Sequence, residues 1–252
     1  MSEPSLLQLS GVSKHFGGVI ALRPLDLEVA QGEILAIAGS NGAGKSTLLR
    51  IMCGAESSDT GRILFEGIEK HHWDIASTRK LGIEVVHQGL ALVGQLSPIE
   101  NLFLGREFTL GSDRTPFLAH RRMERRGQDL LREVGVRLKN IHEKTEDLSG
   151  GQRQAIAIVR AIGWGKRLVI LDEPTAALGI AESAHVNDVI RSLRERGLGV
   201  VLVSHRLDQI IELADRAVVL RNGVLVGHLE GSAIKAGPLA ELITGEHAGQ
   251  VA

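Results

Sequence analysis

Short apolar runs, separated by polar segments, recur along the chain. Three of these runs contain only apolar residues and have the length of strands buried on both faces; they are 34–38, 168–171 and 200–203. Within residues 5–37, apolar and polar positions alternate with turn residues between them, which predicts antiparallel strands with one face in water. Helices are predicted between the runs, among them 74–80 and 181–195. This order of elements predicts an α/β fold with an N-terminal antiparallel β subdomain.

The segment 89–147 has a different, mainly helical pattern. Ser97-Pro98-Ile99-Glu100 predicts a helix start, with a capping serine, a proline in the first turn and a glutamate that completes a capping box. A second helix is predicted over 120–134, with its apolar residues on one face. We therefore predict one domain over 1–252, in which 89–147 is an inserted α-helical subdomain and the remainder, 1–88 and 148–252, is the core.

Composition and charge exclude several classes of function. The 252 residues include 29 basic and 30 acidic side chains, so a net charge of −1 gives no electrostatic reason to expect a nucleic-acid partner. Aromatic residues make up only 3%, which argues against a stacking surface for single strands. Cys53 is the single cysteine and is expected to be an inert core thiol in a reducing compartment. Neither a membrane-spanning run nor a signal-peptide pattern is evident, so a cytosolic protein is expected.

The strongest chemical signal is the run Gly39-Ser40-Asn41-Gly42-Ala43-Gly44-Lys45-Ser46-Thr47. Its glycines allow the backbone N–H groups to point at an anion, and the helix predicted after it adds the partial positive charge of its N-terminus. Lys45 would contact the β- and γ-phosphates of a nucleotide, and the Ser46 hydroxyl can bind Mg²⁺. A glycine-rich turn that merely joins a strand to a helix is the alternative, which the context disfavours. We therefore predict a nucleotide site.

Two carboxylates, Asp172 and Glu173, follow the apolar run 168–171. Because the carboxyl ends of strands form the ligand side of an open parallel sheet, the pair is expected beside the phosphate-binding loop. Asp172 would hold Mg²⁺, directly or through water, and Glu173 would orient or deprotonate a water molecule. Gln88 and His205 also follow predicted strands, although each taken alone is compatible with an ordinary loop or cap residue.

A further helix start follows at Leu148-Ser149-Gly150-Gly151-Gln152. Ser149 is predicted to cap this helix, and the two glycines leave its first amides bare to receive an anion. An ordinary capped helix is the alternative, but consecutive glycines are unfavourable for that purpose alone. Gly163 is predicted to end the helix, and Asn222-Gly223 to form a hairpin turn.

In this order and spacing, the phosphate loop, Gln88, Leu-Ser-Gly-Gly-Gln, Ile-Leu-Asp-Glu-Pro and Ser-His resemble the ATP-binding cassette (ABC) ATPases over essentially the whole chain. The resemblance implies a P-loop NTPase core and a set of roles. Phe16 lies where an aromatic ring stacks on adenine. The loop residues expected to bind ATP are Gly39, Ser40, Asn41, Gly42, Ala43, Gly44, Lys45, Ser46 and Thr47.

The same resemblance assigns the chemistry. Glu173 would be the catalytic base and His205 a clamp on the γ-phosphate, while Gln88 would act with them and bind Mg²⁺ together with Ser46 and Asp172. Ser149, Gly150, Gly151 and Gln152 would close over ATP bound to a second subunit, which implies a homodimer formed on ATP binding. Where the family usually has aspartate, this chain has Gly179. That departure bears on communication between the two sites.

Two segments, 88–107 and 174–179, resemble more closely the single-cassette ATPases of ribose-, xylose- and fructose-type monosaccharide importers. This implies a sugar-import ATPase on the cytoplasmic face of the inner membrane. Its partners would be two integral-membrane permeases and, through them, a periplasmic or extracellular sugar-binding protein. The apolar-rich segment 90–108 would be either subdomain core or a docking groove for a permease helix.

Other interpretations are a soluble non-transport ABC ATPase, an importer of another small solute, and a P-loop kinase. Soluble types that act in translation usually have two fused cassettes, and repair types have a long coiled-coil insertion; this sequence has neither. A kinase would leave the segment 148–152 unexplained.

Overall fold

A computed structural model describes residues 5–110, 117–176 and 178–245. Its elements, in chain order, are β1 Leu7–Phe16, β2 Val19–Val29, β3 Ile34–Ala38, α1 Lys45–Met52, β4 Thr60–Phe65, β5 Ile68–Glu69, α2 Ile75–Lys80, β6 Ile83–Val86, α3 Pro98–Phe103, β7 Thr109–Leu110, β8 Phe117–Leu118, α4 His120–Glu133, α5 Gly150–Trp164, β9 Leu168–Asp172, α6 Ile180–Glu195, β10 Gly199–Val203, α7 Leu207–Leu213, β11 Arg216–Arg221, β12 Val224–Glu230 and α8 Ala236–Thr244.

The central sheet has six strands in the order β12-β11-β3-β10-β9-β6. The strands from β11 to β6 run parallel, and β12 is an antiparallel edge strand. All five residues of β3 and all five of β10 are buried, because apolar clusters cover both faces of the sheet. The carboxyl ends of β3, β10 and β9 therefore lie side by side, which places the residues that follow them together.

The second sheet, β2-β1-β4-β5, is antiparallel throughout. Leu7 pairs with Val29 and Leu9 with Leu27, and all four side chains are buried in one cluster together with Leu35 of β3. The alternating pattern of the N-terminal region thus forms one buried and one wetter face, as expected. The α/β fold with an antiparallel β subdomain is confirmed.

The helical segment does not have a separate core. Ile99 of α3 and Leu130 of α4 belong to one apolar cluster with Ile156 of α5 and Val169 of β9. The start of α3 is as predicted, since Ser97 Oγ accepts the N–H of Glu100 and the Glu100 carboxylate accepts the N–H of Ser97. A two-stranded sheet of β7 and β8 was not predicted. The subdomain bounds 89 and 147 stay a prediction.

The prediction that Gly163 ends α5 was wrong. The helix continues through Gly163 to Trp164, and Gly165 caps it, with its N–H bonded to the carbonyl of Ala161. A Cβ on Gly163 would lie 3.1 Å from Leu130 Cδ1, so this glycine allows the close packing of α4 on α5. The Asn222-Gly223 turn between β11 and β12 is confirmed, with φ of 49° and 76°.

Cys53 is buried at the end of α1, and burial raises the pKa of its thiol, as expected for an inert core cysteine. In the described part of the chain, none of the helices has both the length and the apolar character that crossing a bilayer requires.

Candidate functional site

A cavity of about 590 Å³ opens at the carboxyl ends of β3, β9 and β10. It brings together most of the residues predicted to bind or act on a nucleotide. Its lining residues are Val19, Ile20, Ala21, Asn41, Gly42, Ala43, Gly44, Lys45, Ser46, Thr47, Gln88, Asp172, Glu173, Val203 and His205. Among the predicted site residues, Phe16, Gly39, Ser40 and the segment 149–152 do not line this cavity. The role of 149–152 toward a second subunit stays a prediction.

The phosphate loop joins β3 to α1 through backbone that only glycine adopts without strain. Gly39 has φ of 152°, and a Cβ there would lie 2.2 Å from the carbonyl oxygen of Leu220. Gly44, with φ of 106°, is the N-cap of α1 and supplies no side-chain cap. The first N–H groups of α1 are therefore left for another acceptor. Lys45 Nζ donates to the carbonyl oxygens of Gly39 (2.7 Å) and Ser40 (2.9 Å).

The charges in the cavity are only partly compensated. Burial lowers the pKa of Lys45, while the carboxylates of Glu173 and Asp172 act in the opposite direction. Burial also raises the pKa of Asp172, and the like charge of Glu173 raises it further. Two neighbouring carboxylates that repel each other would be stabilised by a cation between them and the phosphates of a ligand.

Glu173 is held in an unusual backbone conformation. Its φ is 53°, a left-handed value that is uncommon for residues other than glycine. The N–H of Glu173 donates to the carbonyl of Val203, and its Oε2 lies 2.7 Å from His205 Nδ1. The glutamate side chain is 15% exposed and the histidine 58%. His205 thus orients the carboxylate from the solvent side of the cavity.

Gln88 lines this cavity, and Ala91 in the loop that follows it lines a second one. Gln88 is exposed two residues after β6, and the loop continues through Leu90 and Ala91, which both have left-handed φ values of 55° and 49°. Arg160 of α5 donates to the carbonyl oxygens of both residues, at 2.9 and 2.7 Å. Burial lowers the pKa of this guanidinium. The strained turn is therefore pinned to α5.

The second cavity, of about 340 Å³, lies between the central sheet and the helical segment. Its charged lining includes three arginines, Arg79, Arg106 and Arg160, and one glutamate, Glu84. Arg106 pairs with Glu84 at 2.5 Å and lies over the ring of Trp164. In the segment 90–108, Ile99, Leu102 and Phe103 are core, whereas Ala91, Leu104, Gly105 and Arg106 line this cavity. The core alternative therefore holds for Ile99, Leu102 and Phe103, while docking of a permease helix at the cavity-lining residues stays a prediction.

The start of α5 has the predicted cap and a partner that was not predicted. Ser149 Oγ accepts the N–H of Gln152, and Gln152 Oε1 accepts the N–H of Ser149. Glu182 of α6 accepts the N–H of Gly151 at 3.3 Å and that of Gly179 at 3.4 Å. Only the second contact had a sequence signal, because a glutamate three residues after an N-cap is typical of a capping box.

Phe16 ends β1 and its side chain is 44% exposed. The ammonium of Lys14 lies 5.3 Å from the centre of its ring, and Glu56 and Asp59 pair with that ammonium. Apolar side chains of β2, Val19 and Ile20, line the cavity instead. The role of Phe16 against a base stays a prediction.

Solved structures with the same fold are ABC transporter cassettes. The ADP conformation of such a cassette superposes with a TM-score of 0.80 at 24% identity, covering 96% of this chain and 99% of that one. A dimeric cassette bound to ADP and phosphate superposes with a TM-score of 0.74 at 25% identity, covering 89% and 98%. The expected ABC ATPase fold is thereby confirmed.

Curated relatives extend the likeness to sequence. The xylose/arabinose import ATP-binding protein of Sulfolobus acidocaldarius is 38% identical over 98% of this chain and 96% of its own length. The ribose import ATP-binding protein of Burkholderia mallei is 41% identical over 96% of this chain, which spans 47% of that longer protein. The family model described as ABC transporter matches residues 22–176. With the phosphate loop and the acidic pair in one cavity, the chain belongs to the ABC transporter family.

Proposed function

We propose that this chain is the ATP-binding and ATP-hydrolysing subunit of an importer and powers uptake of a monosaccharide through partner membrane permeases. The observation that carries the proposal is that Lys45 and the N-terminus of α1 line the same cavity as the Glu173–His205 pair. The names of the similar import proteins support sugar as the cargo. We expect the chain to act on the cytoplasmic face of the membrane, held there by the permeases.

We assign a residue of the cavity to each step of hydrolysis. The N–H groups of the loop and of α1 would bind the phosphates, and Lys45 would exchange its two carbonyl partners for phosphate oxygens. Glu173 would accept a proton from the attacking water. His205 keeps the Glu173 carboxylate oriented, and its exposed ring is available to the γ-phosphate.

The donor set fits Mg²⁺. Ser46, Gln88 and Asp172 offer a hydroxyl, an amide oxygen and a carboxylate, which are the hard oxygen ligands that this ion prefers, and all three line the cavity. The raised pKa of Asp172 indicates a carboxylate that would gain from a nearby cation. When bound, Mg²⁺ would neutralise phosphate charge.

We assign partners to two parts of the chain that lie outside the nucleotide cavity. The capped start of α5, with Ser149 and Gly151, would close over ATP bound to a second copy of the chain. The second cavity would receive a helix from a permease. Since Arg79, Arg106 and Arg160 outnumber Glu84 among its charged lining residues, we expect the docked helix to carry a carboxylate.

ATP hydrolysis is tested by Lys45→Ala in the purified protein. A neutral methyl group cannot replace the ammonium at the phosphates, so hydrolysis should fall to background and nucleotide binding should weaken. Lys139→Ala, a change of the same kind outside the cavity, is the control. An unaltered ATPase rate in the folded Lys45→Ala protein would contradict the proposed site.

Transport is tested by deleting the gene and measuring uptake of labelled ribose, xylose and fructose. Uptake of at least one sugar should be lost, and should return with the wild-type chain but not with Lys45→Ala. Unchanged uptake of all three would contradict monosaccharide import while leaving ATP hydrolysis intact.

A further inference from the structure

An anion already occupies the N-terminus of α5. The Glu182 carboxylate accepts the N–H of Gly151, and hydrogen bonds from Gly151 and from the Ser149 hydroxyl lower its pKa. This carboxylate belongs to a helix and not to a loop. It extends from the first turn of α6, a helix that packs along α5.

The start of α6 packs so closely on α5 at this point that the contact depends on the two glycines of α5. A Cβ on Gly151 would lie 2.9 Å from Glu182 Cβ, and one on Gly150 would lie 2.9 Å from Leu178 Cδ2. The two glycines therefore do more than bare the amides of α5, because they also let the start of α6 approach it. A side chain at Gly151 would push Glu182 away from the helix end, and one at Gly150 would meet Leu178 just before α6.

The donors that Glu182 uses are the same donors that the proposed function assigns to the γ-phosphate of a partner's ATP. A backbone N–H donates well to one strong acceptor, and two anions at one helix end repel each other. Resting on the proposed function, we infer that Glu182 is an internal counter-ion for α5, which must be displaced before the partner's ATP can bind. Glu182 thereby sets the affinity of ATP-dependent dimerisation.

Displacement would not leave Glu182 without a partner. Its second contact, the N–H of Gly179, belongs to its own helix and can persist when the Gly151 contact breaks. The next residue, Ser183, accepts a hydrogen bond from Arg206 at 3.1 Å, and Arg206 directly follows His205. The first turn of α6 thus contacts the α5 start of one site and the His205 segment of the other.

A purely structural role for Glu182 makes the opposite prediction. If the carboxylate served only to cap α6 and hold α5 in place, neutralising it would loosen the site and weaken the dimer. If it is a counter-ion that competes with phosphate, neutralising it strengthens the dimer. The sign of the effect separates the two roles.

The experiment compares ATP-dependent dimerisation of Glu173→Gln protein with and without Glu182→Gln, by sedimentation over a series of ATP concentrations. One charge at a helix N-terminus changes binding roughly two- to fivefold. With two equivalent sites, the dimer dissociation constant should fall by roughly four- to 25-fold. Glu195→Gln, at the exposed last turn of α6, is the matched control and should have no effect.

Two further measurements keep the outcome decisive. Nucleotide affinity of the monomer, which depends on the phosphate loop, should be equal in all variants. Glu182→Ala should also strengthen the dimer, so a failure of one variant to fold does not end the test. A dimer that is unchanged or weaker in both Glu182 variants would overturn the inference alone. No ATP-dependent dimer in the Glu173→Gln parent would overturn the proposed assembly and this inference together.

Discussion

The two neighbouring carboxylates at the end of β9 destabilise the ligand-free protein but would favour the binding of a cation and a nucleotide. Asp172 and Glu173 approach each other in a partly buried cavity, and the pKa of Asp172 is raised as a result. Lys45, which would be attracted to both, directs its hydrogen bonds to the loop carbonyls instead. The ligand-free protein therefore retains an electrostatic cost that nucleotide and cation would relieve.

Asp172→Asn should stabilise the ligand-free protein, because the change removes a charge that burial and Glu173 disfavour. We expect a rise in melting temperature of about 2–4 °C, which corresponds to about 1 kcal/mol for a chain of this size. A raised folded pKa means that the wild type takes up its proton more readily when folded. The destabilisation caused by the ionised Asp172 is therefore lost as the pH falls through the raised pKa. The difference in stability between Asp172→Asn and the wild type should shrink toward pH 4. Calorimetry at pH 7 and pH 4.5 checks both expectations.

Glu173→Gln should separate binding from hydrolysis. The amide can keep the side-chain position beside His205 but cannot accept the proton of water. ATP affinity should be preserved, while turnover should fall by roughly 10²–10⁴-fold, the range for a lost general base. Steady-state turnover and equilibrium nucleotide binding measure the two effects separately. Turnover within a few-fold of wild type would remove Glu173 from the role of base.

At the scale of elements, α3 and α5 both begin with a serine capping box, but the two caps differ in their surroundings. Ser97 at α3 and Ser149 at α5 each form a complete capping box with a residue three positions on. The cap of α3 lies outside the nucleotide cavity. The cap of α5 leaves a serine hydroxyl beside glycine amides, where the proposed function places a phosphate.

Alanine at each cap should test this difference. Ser97→Ala and Ser149→Ala should each cost about 0.5–2 kcal/mol of stability, since each removes one N-cap hydrogen bond. ATP hydrolysis should fall only in Ser149→Ala. Denaturant unfolding and ATPase assays on the same preparations give the comparison. Equal loss of hydrolysis in both variants would show that Ser149 acts through stability alone.

Local patterns predicted those elements whose signals lie within a few residues. The buried runs became β3, β9 and β10, and the predicted capping box at Ser97 and the predicted cap at Ser149 are both present. Gly163 was misassigned as the helix end because glycine is needed there for the approach of Leu130 from another helix. No local sequence pattern contains that contact. The contact between Glu182 and Gly151 joins residues 31 positions apart and was missed for the same cause. For the nucleotide site, the sequence motifs identified every charged residue that lines the cavity.

At the scale of the whole molecule, the chain carries one phosphate loop and one α5 start, at separate places. A self-pairing chain would form two equivalent sites, each with Lys45 and Glu173 from one subunit and Ser149 and Gly151 from the other. The phosphates would then lie between two helix N-termini, so ATP should join the subunits and ADP should not.

Glu173→Gln protein should therefore be monomeric or weakly associated alone and dimeric with ATP. Adding Ser149→Arg should abolish the dimer, because a long side chain would fill the space that the partner's phosphates need. Sedimentation of both proteins with ATP, with ADP and without nucleotide tests this. Persistent monomer at saturating ATP would mean that the permeases assemble the subunits or that the partner is another cassette chain.

The left-handed backbone of Glu173 has a consequence for how such a protein changes over generations. Glycine at this position would relieve about 1 kcal/mol of strain and remove the repulsion with Asp172. A laboratory selection for heat resistance alone should therefore enrich Glu173→Gly where these gains exceed the lost contact with His205, and with it loss of the proposed base. If Glu173 is the proposed base, a selection that requires ATP hydrolysis should instead retain the glutamate.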